Sequence, residues 1–300
     1  MVTELIATDL GGLHVERLGA GSPVVLWHSL FLDSRSWCGL EDDLARNHSV
    51  YVVDGPSHGR SDAVGRDFTF GECVSAAAQV LDALGLDQPI DWVGNAWGGH
   101  IGIQLAAHQP SRIRTLTTIG TPAHSLRPGE RWTKVWPLVQ LYRFVGPNPL
   151  LLKPLSDALV GRESFEAAPD LAKTVMSGFT EAQKGAMFHA MKSMMLNRPD
   201  MTAGMAGIAA PTLLIAGRED ITGWRPADAQ AVADTMAGAG GRDHRGVGHG
   251  VRDGRLRPFL TAAHRPRPGS SVDHRVLDAD IAFDVMHAAS RTFAAERRKR

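Results

Sequence analysis

The stretch "DWVGNAWGGHIG", residues 91–102, has the form of a reaction centre from which the reactive atom is missing. A short apolar run meets a turn flanked by Gly94, Gly98 and Gly99 and continues into a helical pattern. In strand–turn–helix sites of the G-x-S-x-G kind, the glycines relieve crowding at a tight turn and the helix aims its first N–H groups at the apex residue. Here the apex is Ala96. A methyl group cannot attack a carbonyl carbon, so the covalent route that a serine opens is closed. Two other stretches follow apolar runs, "LWHSLFLDSRSW" (26–37) and "DGPSHGRSD" (54–62). Their Ser29 and Ser57 carry hydroxyls, but neither stands at a turn apex, so neither reads as a replacement nucleophile. His100, His108 and His189 have no partner pattern and are read as surface or insertion histidines.

Such a turn needs a sheet to present it. The runs "PVVLWHS" (23–29), "SVYVVDG" (49–55), "IDWVGNA" (90–96), "IRTLTTIGT" (113–121) and "PTLLIAG" (211–217) are short and nearly all apolar, as parallel strands covered on both faces are. Between them, 71–86 and 98–110 have helical apolar spacing, closed near Gly85 and at Pro110. The alternation predicts an α/β fold with a mostly parallel central sheet, preceded by a hairpin around Gly11 and Gly12. Residues 122–208 break the rhythm with no strand-like run and an abundance of methionine and aromatic residues. That composition predicts a helical insertion. Its methionines and aromatics are either its own core or, in part, a surface that faces a ligand.

With these motifs in this order after these strands, residues 5–235 resemble the α/β-hydrolase superfamily, and among it the capped members with a helical lid. The resemblance implies a core at 1–121 and 209–300 around a lid at 122–208. It implies that the backbone N–H groups of Leu30 and Trp97 form an oxyanion hole, and that Asp220 in "LLIAGREDITGW" and His249 in "GVGHG" stand where the family keeps its acid and its base. His58 falls in a turn that is structural in most relatives. If lid aromatics face a ligand, Trp132 and Trp136 are the candidates for substrate binding. The implied activity is hydrolysis of a small, largely apolar ester, amide or carbon–carbon bond. Ala96 leaves three readings open: an engineered serine-to-alanine trap, a catalytically silent small-molecule binder, or a non-covalent enzyme in which His249 and Asp220 activate water or move a substrate proton.

Bulk composition narrows the partners. The 32 basic and 32 acidic residues cancel, so no long-range field draws the chain to nucleic acid or anionic lipid, although a local patch is compatible with that sum. No run of eighteen apolar residues and no basic leader is present, from which a soluble, cytoplasmic protein with no membrane partner is expected. Cys38 and Cys73 lack metal-ligand spacing and are expected to be inert thiols. No metal and no cofactor is implied; the expected partner is a small molecule, with a homodimer as a further option. From 238 onward the texture turns Gly-, Arg- and Pro-rich, consistent with an irregular tail or with a shifted reading frame near residue 240. Residues beyond 262 are therefore expected to be dispensable for folding, with 276–293 as either loose chain or a docked helix.

Overall fold

The computed structural model describes residues 1–159, 168–217 and 224–236, together with a strand at 274–279. Its strands are β1 (Val2–Thr8), β2 (Gly11–Leu18), β3 (Ser22–Trp27), β4 (His48–Val53), β5 (Ile90–Asn95), β6 (Ile113–Ile119), β7 (Thr212–Gly217) and β8 (His274–Ala279). They form one sheet in the order β1-β2-β4-β3-β5-β6-β7-β8. β1 and β2 make the antiparallel hairpin, β2 runs antiparallel to β4, and every pair beyond β4 is parallel.

The parallel strands read as unbroken apolar runs because alternate residues enter two different cores. Val24, Leu26, Val50 and Val52 pack on one face; Val25, Trp27, Tyr51 and Val53 pack on the other. The second of these faces is covered by α2 (Phe70–Ala83) and α3 (Trp97–His108), which contribute Cys73, Val80, Ile101 and Leu105. The first is covered by α1 (Leu40–Ala45) and by an insertion helix at Pro169–Thr180. α2 starts where it does because Thr69 and Glu72 cap it reciprocally: Glu72 N–H donates to Thr69 Oγ1 at 3.1 Å, and Thr69 N–H donates to Glu72 Oε2 at 2.8 Å.

Between β6 and β7 the described chain is helical and contains no strand, with helices at Trp136–Val145, Pro149–Leu159, Pro169–Thr180 and Lys184–Met191. Met176, Met187, Met191, Met194, Met201 and Met205 are all buried. These thioethers are packing, joining the insertion to the body. Polar ties hold it at two places. Arg35 bridges buried Asp33 (2.7 Å) and Glu181 (2.9 Å), while Asp67 takes His189 (2.6 Å) and Lys192, with Phe68 N–H donating to Ser193 Oγ at 3.0 Å.

β8 corrects the expectation for the tail. It pairs in parallel with the whole of β7, Thr212 opposite His274 through Gly217 opposite Ala279. Of the segment 276–293, expected to be loose chain or helix, the described part 276–279 is instead strand, and removing everything after 262 would expose the backbone edge of β7.

Candidate functional site

The turn from β5 into α3 is strained in the way its sequence requires. Ala96 has φ 45° and ψ −100°, a left-handed backbone that a residue with a Cβ adopts at a cost of roughly 1–3 kcal/mol. It is held there by hydrogen bonds on both sides: Ala96 N–H donates to Ile119 O at 2.8 Å, and His100 N–H donates to Ala96 O at 3.0 Å. The flanking glycines are needed for contact rather than for flexibility. A Cβ on Gly98 would strike the Trp27 carbonyl at the end of β3, and one on Gly94 would strike the Gly98 backbone. Gly98→Ala is therefore expected to lower unfolding stability by about 3 kcal/mol, because backbone meets backbone and neither can step aside. Gly129→Ala, whose Cβ would meet nothing within 4 Å, is the control, expected to stay within about 0.5 kcal/mol in the same urea titration.

The same close approach ties the turn to the loop that follows β3. Gly98 N–H donates to His28 O at 3.2 Å. Leu30, two residues on, is buried, and the next residue, Phe31, takes φ 76°. Among the described residues neither the Leu30 N–H nor the Trp97 N–H has an acceptor. The Trp97 ring is fully packed, 6.0 Å from Trp27, 5.8 Å from His28 and 5.0 Å from His58, so its contribution to the turn is its backbone.

His28 and His58 brace this loop as a pair, their rings 5.1 Å apart. His28 Nε2 accepts from Gly55 N–H at 2.9 Å, which leaves Nδ1–H to donate to Ser29 O at 2.7 Å. His58 repeats the pattern: Nε2 accepts from Phe31 N–H at 3.3 Å and Nδ1–H donates to Pro56 O at 2.9 Å. Both rings are neutral and fully committed. Burial lowers the pKa of each, that of His58 to about 3. Neither is free to act as a base. Asp54 anchors the opposite side, accepting from Ser34 N–H (2.7 Å) and Arg60 N–H (3.0 Å) with His14 Nδ1 3.1 Å away. Burial alone would push its carboxyl up; these partners outweigh it and hold the pKa at about 2. Ser29 Oγ donates to Leu30 O and Ser57 Oγ accepts from Val64 N–H, so both hydroxyls are structural.

His100 is not the surface residue expected. It lies on the covered side of α3, 5% exposed, with Nε2 bonded to Pro122 O at 2.9 Å and its ring edge-on to Phe70 at 5.8 Å. Burial, helped by the Arg198 charge, brings its pKa to about 3. The sequence conceals this because a histidine donating to a carbonyl behaves as a core residue. His108 is exposed, and His189 is the partner of Asp67 already described.

Asp220 and His249 lie outside the described residues. β8 begins at His274, downstream of His249, so in chain order that histidine precedes the last described strand rather than following it. Trp132 and Trp136 are placed on the exposed side of the insertion, 60% and 43% exposed, with their rings 6.4 Å apart. What sequence reasoning missed is Phe31 and its contact with the insertion: Phe179 lies edge-on to Phe31 at 5.3 Å, beside the loop that carries Leu30. The positive φ at Phe31 leaves no mark in "HSLFLDS". A cavity of about 460 Å³ opens elsewhere, between the start of α2 and the second half of α3, lined by Phe70, Ile103, Ala107 and Met201. Leu30, Ala96 and Trp97 take no part in it. Among the described residues no group of three or more His, Cys, Asp or Glu is placed to hold a metal ion.

Comparison with known proteins agrees with this architecture. Residues 22–222 match the family model described as alpha/beta hydrolase fold. Over 230 residues, 70% of this chain and 81% of the relative, the sequence is 26% identical to a pimeloyl-[acyl-carrier protein] methyl ester esterase of Nitrosospira multiformis. Over 110 residues, 36% of the chain and 40% of the relative, it is 36% identical to a putative carbamate hydrolase of Azorhizobium caulinodans. Among solved structures, the enol-lactonase of Burkholderia xenovorans LB400 superposes with a TM-score of 0.76 at 19% identity, covering 99% of this chain and 98% of that one. A thermophilic esterase of Thermogutta terrifontis gives 0.75 at 20% identity, covering 100% and 98%. With the strained turn, the braced loop and a family match over two thirds of its length, this chain belongs to the alpha/beta hydrolase family.

Proposed function

We propose that the chain binds a small, largely apolar carbonyl compound of the carboxylic ester class over the β5–α3 turn, beneath the insertion acting as a lid, and does so without forming an acyl-enzyme. The observation that carries this reading is Ala96 itself, a methyl group held at φ 45° on a turn whose cost is otherwise justified by presenting a nucleophile. The carbonyl oxygen would lie between the N–H groups of Leu30 and Trp97, where two backbone dipoles and the start of α3 favour negative charge. Phe31 and Phe179 supply the apolar cover. The named relatives act on a methyl ester and, in one case putatively, on a carbamate, both of which carry such a carbonyl.

The test is thermal unfolding with a panel of alkyl esters and lactones, followed by recovery of the compound. A ligand at a hundred times its Kd is expected to stabilise the folded chain by about 2.7 kcal/mol, a rise of a few degrees in Tm, and to be returned chemically unchanged. A flat response across the panel sinks the binding reading. Steady turnover without a burst shifts the assignment to non-covalent catalysis.

A further inference from the structure

We propose that the outer face of the insertion between Arg127 and Lys153 docks on an anionic lipid bilayer, an inference that does not depend on what the β5–α3 turn binds. The chain as a whole carries no net charge, and among the described residues no helix is long and apolar enough to cross a membrane. An attraction of the described residues to a lipid surface is therefore a matter of local patches. From 127 to 153 the sequence places Arg127, Arg131, Lys134, Arg143 and Lys153 against one acid, Glu130. Lys153 is itself paired with Asp157 at 3.6 Å just beyond that stretch, so the excess of positive charge lies on the three arginines. Glu130 is taken up by Lys134 at 3.4 Å. Among the described residues no carboxylate lies within 4.0 Å of Arg127, Arg131 or Arg143.

Large apolar side chains stand out of the protein among these cations. Trp132, Trp136, Phe144 and Leu150 are 60%, 43%, 72% and 76% exposed. The two kinds of side chain are in contact: the Arg131 guanidinium lies 5.7 Å over the Trp132 ring, and that of Arg143 lies 5.9 Å over Phe144. Exposed tryptophan and phenylalanine interleaved with arginine and lysine is the composition that settles at the boundary of headgroups and acyl chains, the rings in the apolar layer and the cations on lipid phosphates. A second copy of the chain is a poorer fit. An isologous contact sets the patch against itself, cation facing cation. A bilayer of negative lipid offers an apolar layer and the opposite charge together.

Co-sedimentation of the full chain with vesicles tests this, using phosphatidylcholine alone and phosphatidylcholine mixed in equal parts with phosphatidylglycerol. The chain is expected to sediment with the mixed vesicles and not with phosphatidylcholine, and to be released at about 0.5 M salt, where surface charges are screened. The pairs Trp132→Ser with Trp136→Ser, and Arg127→Gln with Arg143→Gln, are each expected to weaken binding about tenfold or more, with thermal unfolding nearly unchanged because these four positions are exposed. A chain that stays in the supernatant at low salt overturns the proposal, as does binding that both pairs leave undiminished. A lipid-independent dimer that the tryptophan pair abolishes overturns it in favour of a second copy.

Discussion

Ala96→Ser is expected to raise hydrolysis of activated esters on the order of 10³-fold or more over the unchanged chain, with a stoichiometric burst of the leaving alcohol. The backbone needs no rearrangement to receive the hydroxyl. φ 45° is already adopted at position 96, Gly94 and Gly98 already leave the room, and the loop carrying Leu30 is already braced by His28 and His58. What the hydroxyl further needs is a base, and His249 with Asp220 is the pair the family resemblance nominates. His249→Ala in the Ala96→Ser background is expected to abolish the gain. A folded Ala96→Ser chain with no burst would show that no base reaches position 96, since the turn is in place by itself.

Mild acid is expected to destabilise this protein through its buried histidines. His58 and His100 are buried and neutral with pKa values of about 3, against 6.5 when exposed, and His28 is displaced in the same direction. Below pH 6.5 the unfolded chain takes up protons at these positions and the folded chain does not. Stability is therefore full above pH 6.5 and is lost as pH falls towards 3, by about 1.4 kcal/mol per pH unit for each group. Between pH 6.5 and 4.5 the two histidines with values near 3 together remove about 5 kcal/mol, comparable to the whole stability of many domains. Asp54 extends the loss lower: its carboxyl at about 2, against 3.8, contributes stability that disappears as pH falls through that range. Urea titrations from pH 7 to 4.5 measure the slope, and His58→Gln, which keeps an acceptor for Phe31 N–H and a donor for Pro56 O, is expected to reduce it by one proton. A stability that stays level down to pH 4.5 would show that the rings are protonated while folded.

The sheet from β1 to β7, and the turn at Ala96, were legible because each leaves a periodic or positional trace. Fully covered strands read as apolar runs, and a tight turn reads as glycine at fixed offsets from its apex. β8 was not legible: "HRVLDA" is a short edge segment of mixed polarity, and it becomes a strand by pairing with β7 rather than by its own pattern. His100 was misread because burial is settled by a carbonyl 22 residues away, at Pro122, which no local pattern reveals. The ties Arg35–Glu181 and Asp67–His189 join residues more than a hundred positions apart, and charge spacing along the chain carries no sign of them.

The methionines packed between insertion and body make that seam chemically asymmetric. A thioether converted to its sulfoxide becomes polar and chiral and no longer fits an apolar interior. With the insertion seated, Met187, Met191 and Met205 are at most 1% exposed and an oxidant in solution meets little of them. Once an oxidant reaches them in an opened chain, the sulfoxides oppose reclosure until a reductase restores the thioether. An opening of this seam would therefore be reversible under reducing conditions, whereas oxidation of its methionines while open would oppose reclosure.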